Sequence, residues 1–219
     1  DGFVLCWGEG LNGKLGTGDV ANVNVPTPVT GGAAFTSVSA GTSHTCAIRA
    51  SDSRVMCWGA AANGRLGNNL TAPDVPNPTL TTDVAAYNSV SAGVGHTCGI
   101  RSSDRRVQCW GTAANGRLGN GLTVPDVLVP SPTTNTSAFI PVSAGGVHSC
   151  GIRSDGLAFC WGGNGSGQLG NNDGTFTEQS NPVAVANSLH FAEISAGGSA
   201  ETCGVTTAGT GFCWGLASF

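Results

Sequence analysis

A Cys-Trp-Gly tripeptide recurs five times, at almost constant spacing, along this chain of 219 residues. Its successive cysteines are 51, 52, 51 and 53 residues apart. The five copies are Cys6-Trp7-Gly8, Cys57-Trp58-Gly59, Cys109-Trp110-Gly111, Cys160-Trp161-Gly162 and Cys213-Trp214-Gly215. Self-similarity at a fixed period of this length is the signature of a repeat architecture, in which each unit buries its apolar face against its neighbours.

Further motifs keep the same register. A Leu-Gly pair ends nine residues after each of the first four tryptophans, at Leu15-Gly16, Leu66-Gly67, Leu118-Gly119 and Leu169-Gly170. A Pro-rich stretch follows, and then a Val/Ile-Ser-Ala-Gly motif. The last motif reads His44-Thr45-Cys46, His96-Thr97-Cys98, His148-Ser149-Cys150 and, as the outlier, Glu201-Thr202-Cys203.

Each repeat is predicted to consist of short β-strands. Segments 43–48 and 55–58 have β-branched and aromatic residues over strand-like lengths, and turn residues separate them. No window shows a sustained apolar period of 3.6 residues, so helices should be few. Repeats of this length with several strands favour an all-β propeller with one blade of about 51 residues per repeat, whereas ankyrin and tetratricopeptide units are shorter and helical.

We therefore predict a single propeller region over residues 1–219. Its repeats are placed at 6–56, 57–108, 109–159 and 160–212, with a partial repeat at 213–219.

The combined pattern resembles the repeat of the regulator of chromosome condensation family. Its parts are Val-Ser-Ala-Gly-x-x-His-Thr-Cys, then Cys-Trp-Gly-x-x-x-x-Gly-x-Leu-Gly, then Pro-x-Pro. The resemblance implies a seven-bladed propeller, of which the chain would hold about four to five blades. It says little about function, since the fold hosts exchange factors, inhibitors and receptor ectodomains.

The blade count predicts that this chain is an excerpt of a longer one, whose further blades complete the ring. Asp1-Gly2 aligns with Asp155-Gly156, which is the turn between two cysteine-bearing strands. The strand that would carry the partner of Cys6 should then precede residue 1. The alternative is a short protein whose open sheet edges, together with Cys6, join it to further copies.

Eight of the nine cysteines are predicted to form disulfides within hairpins, because each pair flanks a predicted turn. Directly opposed residues on antiparallel strands are close enough for such a bond. The pairs are Cys46 with Cys57, Cys98 with Cys109, Cys150 with Cys160, and Cys203 with Cys213, leaving Cys6 unpaired or with an external partner. Reduced core cysteines are one alternative; zinc binding, the other, prefers a shorter spacing. Disulfides imply an oxidising compartment.

Turn residues support this pairing. The two shorter hairpins leave three-residue loops, at 154–156 and 207–209, which end in the glycine that a left-handed position favours. The two longer hairpins have loops at 50–53 and 102–105 without glycine, as four-residue type I loops allow. Arginines also recur beside the turn aspartates and are expected to pair with them. These pairs are Arg49 with Asp52, Arg101 with Asp104, and Arg153 with Asp155.

Several other recurring side chains have both a structural and a functional interpretation. The histidines at 44, 96 and 148 are interpreted as hydrogen-bonding the backbone of a neighbouring blade rather than ringing the axis as a metal or pH site. The tryptophans are interpreted as core packing between blades rather than as sugar-stacking platforms. A row before the Leu-Gly step should be exposed and is the candidate ligand face. It comprises Lys14, Arg65, Arg117 and Gln168.

Charge and motifs exclude several classes of function. Thirteen acidic and nine basic residues give a net charge of −4, which argues against an electrostatic grip on nucleic acid or an anionic membrane. No apolar run is long enough to span a bilayer. No nucleophile elbow, zinc-protease, P-loop or dinucleotide motif occurs, so we expect neither enzyme activity nor a cofactor.

Three sequons, Asn69-Leu70-Thr71, Asn135-Thr136-Ser137 and Asn164-Gly165-Ser166, are candidate glycosylation sites. Asn69 and Asn135 lie in Pro- and Thr-rich connections that should be exposed, whereas Asn164 lies inside the Gly-rich motif. Covalently attached glycans would again indicate secretion.

These features favour an extracellular, non-enzymatic scaffold glycoprotein, such as a component of a fibre, coat or matrix. Its expected partners are other protein chains, either further copies or further blades. The alternative is a ligand-binding propeller in a receptor ectodomain or a secreted inhibitor. Guanine-nucleotide exchange, the activity of the family's namesake, is disfavoured by the disulfides and by a pI near 5.4.

Overall fold

A computed structural model describes residues 2–216 as an all-β chain of short antiparallel strands. The strands are β1 Leu5–Gly8, β2 Val23–Pro28, β3 Phe35–Ala40, β4 His44–Arg49, β5 Val55–Gly59, β6 Val75–Leu80, β7 Tyr87–Ala92, β8 His96–Arg101, β9 Val107–Gly111, β10 Val127–Pro132, β11 Phe139–Ala144, β12 His148–Arg153, β13 Ala158–Gly162, β14 Gln179–Ala184, β15 Phe191–Ala196, β16 Glu201–Thr206 and β17 Gly211–Gly215. Short 3₁₀ turns lie at Leu11–Gly13, Ala62–Gly64, Ala114–Gly116 and Ala186–Ser188.

The strands form five consecutive sheets, which we call blades 1 to 5. Blades 2, 3 and 4 are four-stranded meanders, β3–β6, β7–β10 and β11–β14. Blade 1 contains β1 and β2, and blade 5 contains β15 to β17. The blades described by the structure do not close into a ring, so the fold is a partial β-propeller, and the fold class predicted from the sequence is confirmed.

The sequence repeats and the blades share a period but not a phase. The repeat predicted at 57–108 starts in the middle of blade 2 and ends in blade 3, because it was cut at the cysteine of the third strand. A blade instead starts at an aromatic residue near the Val-Ser-Ala-Gly motif, as at Phe35 or Tyr87. Asp1 and residues 217–219 of the predicted partial repeat lie outside the described residues.

The core lies between adjacent blades. One apolar cluster joins Ile48, Val55 and Leu66 of blade 2 to Tyr87 and Trp110 of blade 3. Because the interface is repeated, the chain buries apolar surface without any single large core.

The tryptophans confirm the predicted packing in the middle of the chain. Trp58, Trp110 and Trp161 are fully buried, whereas Trp214 is half-buried and Trp7 is 59% exposed. A Cβ atom on Gly67 would lie 2.8 Å from Nε1 of Trp110 in the next blade. Only glycine leaves room there, which explains the fixed spacing between tryptophan and the Leu-Gly pair.

Two opposite ends of the blades carry the connections. The hairpin end holds the turns between the second and third strands, around residues 50–54, 102–106, 154–157 and 207–210. The loop end holds the first three 3₁₀ turns and the segments that lead into the fourth strands, at 17–22, 68–74, 120–126 and 171–178. The fourth 3₁₀ turn, Ala186–Ser188, joins β14 to β15 at the hairpin end.

Candidate interaction surface

No constellation of chemically reactive side chains stands out in the structure. Residues 2–216 contain no group of three or more His, Cys, Asp or Glu side chains placed to hold a metal ion. None of the helical segments in the described part of the chain is long and apolar enough to cross a membrane.

The row predicted to be an exposed ligand face is not exposed. Arg117 is 8% exposed and Gln168 is 2% exposed, while Lys14 and Arg65 are half-buried. The predicted exposure was wrong because Arg65 and Arg117 bind backbone of the next blade, while the Gln168 side chain accepts a hydrogen bond from the Ser166 amide of its own blade.

Arg117 shows what the row does. Its Nη1 donates to the carbonyl oxygen of Gly146 in blade 4 at 2.9 Å, while its Nε donates to Ala114 of its own blade at 2.8 Å. Arg65 repeats the arrangement with the carbonyl oxygens of Val94 and Ala62. Burial lowers the pKa of both guanidinium groups, with nearby aspartates opposing that shift. Arg65 and Arg117 each hold one blade against the next.

The histidines are structural, but their partners are side chains rather than the predicted backbone. Nε2 of His44 lies 2.8 Å from the hydroxyl oxygen of Thr97 in the next blade. That hydroxyl donates to the carbonyl oxygen of Arg65 at 2.8 Å, so it must accept from a protonated Nε2. His96 with Ser149, and His148 with Thr202, repeat this chain of bonds.

Burial keeps these imidazoles neutral. It lowers the pKa of His44 to about 3, helped by the charge of Arg65, and that of His148 to about 4. At His148 the carboxylate of Glu201 partly opposes the effect of burial. The pKa of His96 is also lowered, first by burial and then by Arg117.

The predicted disulfides are present in the structure. Cys46 and Cys57 are directly opposed on β4 and β5, with Cα atoms 4.1 Å apart and sulfur atoms bonded. The same register joins Cys98–Cys109, Cys150–Cys160 and Cys203–Cys213. The first three bonds are buried, whereas Cys213 is exposed. Cys6 is a free, half-buried thiol whose pKa burial raises.

The three sequons lie in different environments. Asn69 is exposed at the loop end, and Asn135 is half-exposed at the hairpin end. Asn164 is 2% exposed, and its side-chain oxygen accepts a hydrogen bond from the Leu169 amide at 3.1 Å. Asn164 therefore has a structural role, and its burial argues against glycosylation at this sequon.

The hairpin end is held by the predicted Arg–Asp pairs. Nε of Arg49 donates to Asp52 at 3.0 Å, and Arg101 binds Asp104 with the same geometry. The hydrogen bond from arginine lowers the pKa of each aspartate to about 2. Arg153 and Asp155 form the third pair.

The loop end is held by a ladder between blades that sequence reasoning missed. Nδ2 of Asn12 donates to Asp74 of the next blade at 2.6 Å, and Asn63 likewise bonds Asp126 at 2.6 Å. In the following step Asn115 donates to Glu178 at 3.0 Å. The signal was present as an Asn-Gly dipeptide in each of the first three 3₁₀ turns, but its partner lies about one repeat away.

The ladder holds the segments at 68–74, 120–126 and 171–178. These segments and the equivalent one at 17–22 present apolar side chains to solvent, and we call this set of side chains the loop-end rim. Its members are Val20 (61% exposed), Leu70 (47%), Leu122 (49%), Val124 (74%) and Phe176 (58%). They occupy equivalent segments of four consecutive blades. Leu70 and Leu122 share one position of the repeat, 12 residues after Trp58 and Trp110, whereas the other three lie at neighbouring positions. Single exposed apolar residues are ordinary, but exposed apolar side chains in the same segment of four blades mark a candidate contact surface.

Comparison with known sequences and structures agrees with the fold. A family model of the regulator of chromosome condensation (RCC1) repeat matches residues 1–48 and 155–200. A second family model of the same repeat matches residues 35–65 and 141–168. The ultraviolet-B receptor UVR8 of Arabidopsis thaliana is 33% identical over 180 residues, covering 80% of this chain and 40% of UVR8.

Two crystal structures extend the comparison. Prp20p of Saccharomyces cerevisiae superposes with a TM-score of 0.81 at 22% identity, over 99% of this chain and 54% of Prp20p. The ectodomain of the Arabidopsis thaliana receptor kinase ACR4 gives a TM-score of 0.56 at 26% identity, over 88% of this chain and 55% of that one. The chain thus spans about half the length of these propellers or less. From its repeat motifs, its blades and these matches, this chain belongs to the RCC1 repeat family.

Proposed function

We propose that this chain is a non-enzymatic, protein-binding propeller module that works outside the cell as a scaffold component of a surface structure or matrix. The observation that carries the proposal is the disulfide in the same hairpin of four consecutive blades. Such bonds persist in oxidising compartments and are rare in the cytosol and nucleus. A bond repeated at one register is a property of the whole repeat.

Two further features support the proposal. The recurring arginine, histidine and tryptophan side chains contact the neighbouring blade. The exposed connections between strands are therefore the surface available to a binding partner. ACR4, which resembles this chain, is a receptor kinase whose propeller lies in its ectodomain. Prp20p binds Gsp1p and histones, but its likeness at 22% identity concerns the fold alone.

The decisive experiment is peptide mapping of the native protein after alkylation without reduction. We expect four linked peptide pairs, Cys46–Cys57, Cys98–Cys109, Cys150–Cys160 and Cys203–Cys213. Alkylated free thiols at these eight positions would overturn the extracellular assignment. The same digest reports whether Cys6, a free thiol in the structure, is alkylated or linked to another cysteine.

Glycosylation gives an independent test of secretion. We expect a glycosidase-sensitive mass shift at Asn135 and Asn69, provided that the source cell glycosylates asparagine. Asn164 is the built-in control, because its buried side chain should stay unmodified.

The second candidate function is a ligand-binding ectodomain or secreted inhibitor, favoured by the likeness to ACR4. Assembly state separates the two. Sedimentation of the native protein as a large, concentration-dependent assembly supports the scaffold. A stable monomer, or a defined complex with one partner, supports the ligand-binding alternative.

A further inference from the structure

The loop-end rim is exposed but rigidly placed. Asp74 and Asp126 each accept two hydrogen bonds, one from an asparagine of the preceding blade and one from a backbone amide of their own blade. Backbone bonds such as Asn69 N–H to Leu128 C=O, at 3.1 Å, tie the first three segments to the blade that follows. A surface that is ordered before binding loses little conformational freedom on contact.

Phe176 has the least favourable conformation and environment of the rim residues. Its φ of +52° lies in the left-handed region, which bulky side chains rarely occupy, and its ring is 58% exposed. The ring rests over Gly167, where an added Cβ would lie 3.0 Å from Cε1 of the phenylalanine. Neither the backbone strain nor the exposure stabilises the fold, so an interaction with a partner is the better reason for this residue.

The charge of the same segments limits what the rim can bind. Residues 17–28, 68–80, 120–132 and 171–184 contain five carboxylates and no lysine, arginine or histidine. These are Asp19, Asp74, Asp126, Asp173 and Glu178. None of them takes part in an ion pair within residues 2–216.

We infer that the loop-end rim docks a basic, amphipathic segment of a partner protein across four consecutive blades. Apolar side chains of the segment cover the rim, and its lysines or arginines face the five carboxylates. Complementary charge of this kind selects partners and speeds their encounter. The inference rests on the proposed function only in taking the chain to be a protein-binding module.

The test uses a synthetic amphipathic helical peptide of leucine and lysine, which is titrated into the protein. The protein is first treated with glycosidase, because a glycan on Asn69 would lie beside Leu70 of the rim. A peptide of equal charge with serine in place of leucine tests the apolar contribution. A peptide with glutamate in place of lysine tests the charge. We expect saturable binding of the first peptide alone, and a weaker affinity at higher salt.

Variants locate the site. The double change Leu122→Ser and Val124→Ser is expected to weaken binding at least about tenfold, as loss of a central apolar contact does. The matched control is Val84→Ser, because Val84 is 77% exposed but lies at the hairpin end. Phe176→Gly is expected to weaken binding while leaving the melting temperature unchanged or higher, since glycine tolerates a positive φ.

Equal binding by the rim variants, the Val84 control and the native protein would overturn the docking site. So would concentration-dependent self-association that the rim variants abolish, because the occupant would then be a second copy. Neither result affects the disulfide mapping, so the proposed function and this inference fail separately.

Discussion

The hairpin end and the loop end of the blades are stabilised over different distances along the chain. At the hairpin end, Arg49 bonds Asp52 within a single turn. At the loop end, Asn63 bonds Asp126, one repeat away. The first contact forms within any isolated hairpin, whereas the second needs two blades already stacked.

The comparison shows where the stability of the stacked blades should reside. An exposed ion pair within a hairpin contributes little, since water and salt screen it. The asparagine–carboxylate bonds of the loop end are exposed too, but Asp126 also accepts a half-buried hydrogen bond from the Ala113 amide. The bonds of His44 and Arg117 to the next blade are buried, and each removes a polar group from water only once that blade is in place. Changes at the loop end should therefore cost more than changes at the hairpin end.

The largest expected difference between the two ends is in how their contributions to folding stability respond to acid. The imidazoles of His44, His96 and His148, at the loop end, stay neutral in the folded protein, whereas the unfolded chain protonates near pH 6.5. The unfolded state then binds more protons, so stability falls as pH drops from about 6.5 towards 4. The loss approaches about 1.4 kcal/mol per pH unit for each histidine.

Urea unfolding at pH 7 and pH 5 measures this loss. Asp52 and Asp104 at the hairpin end, with pKa values of about 2, keep their charge throughout that window and lose their contribution only at lower pH. His96→Gln retains an N–H donor near Ser149 but does not titrate, so it should reduce the pH dependence by about a third. Equal stability at the two pH values would contradict the prediction.

A change at one glycine should come next in size. Gly119 has φ +67°, and an added Cβ would lie 2.8 Å from Cδ1 of Trp161 in the next blade. Gly119→Ala combines backbone strain with overpacking of a buried indole, so we expect a loss of about 3 kcal/mol in the free energy of unfolding. Gly121→Ala is the matched control.

Gly121 has φ +85°, but the nearest atom to an added Cβ is 3.6 Å away. It should lose only the strain energy, about 1 kcal/mol. Chemical denaturation measures both variants, and equal losses would show that the indole contact does not limit this position.

The carboxylates at the two ends give a direct contrast. Asp126→Ala leaves both the Asn63 amide and the Ala113 N–H without their acceptor, so we expect a loss of about 1–3 kcal/mol. Asp104→Ala breaks a solvent-accessible pair and should cost less than about 1 kcal/mol. Thermal unfolding at low and high salt checks the order, and a reversed order would refute the comparison.

The smallest expected effect is a gain in folding stability from a substitution at the hairpin end. Arg105 ends its turn with φ +57°, and Ser53 does the same in blade 2, whereas the shorter hairpins use Gly156 and Gly209 at this place. Arg105→Gly removes the strain of a left-handed side chain and should raise stability by about 1 kcal/mol. A lower melting temperature would mean that the arginine makes a contact worth more than the strain.

The sequence alone determined what repeats and what is close along the chain. The period, the strand pairs around each turn, the cysteine register and the Arg–Asp pairs all follow from neighbours a few residues apart. Hydrogen bonding within a hairpin depends on local spacing, and spacing is visible in the residues.

Only the tertiary structure determined the contacts between adjacent blades. It buried Arg117, Gln168 and Asn164, and it gave His44 a hydroxyl partner instead of backbone. It also left Val20, Leu70 and Phe176 exposed at the loop end of their blades. The stacking of blades brings together residues about one repeat apart, and no local periodicity records which side chains meet there.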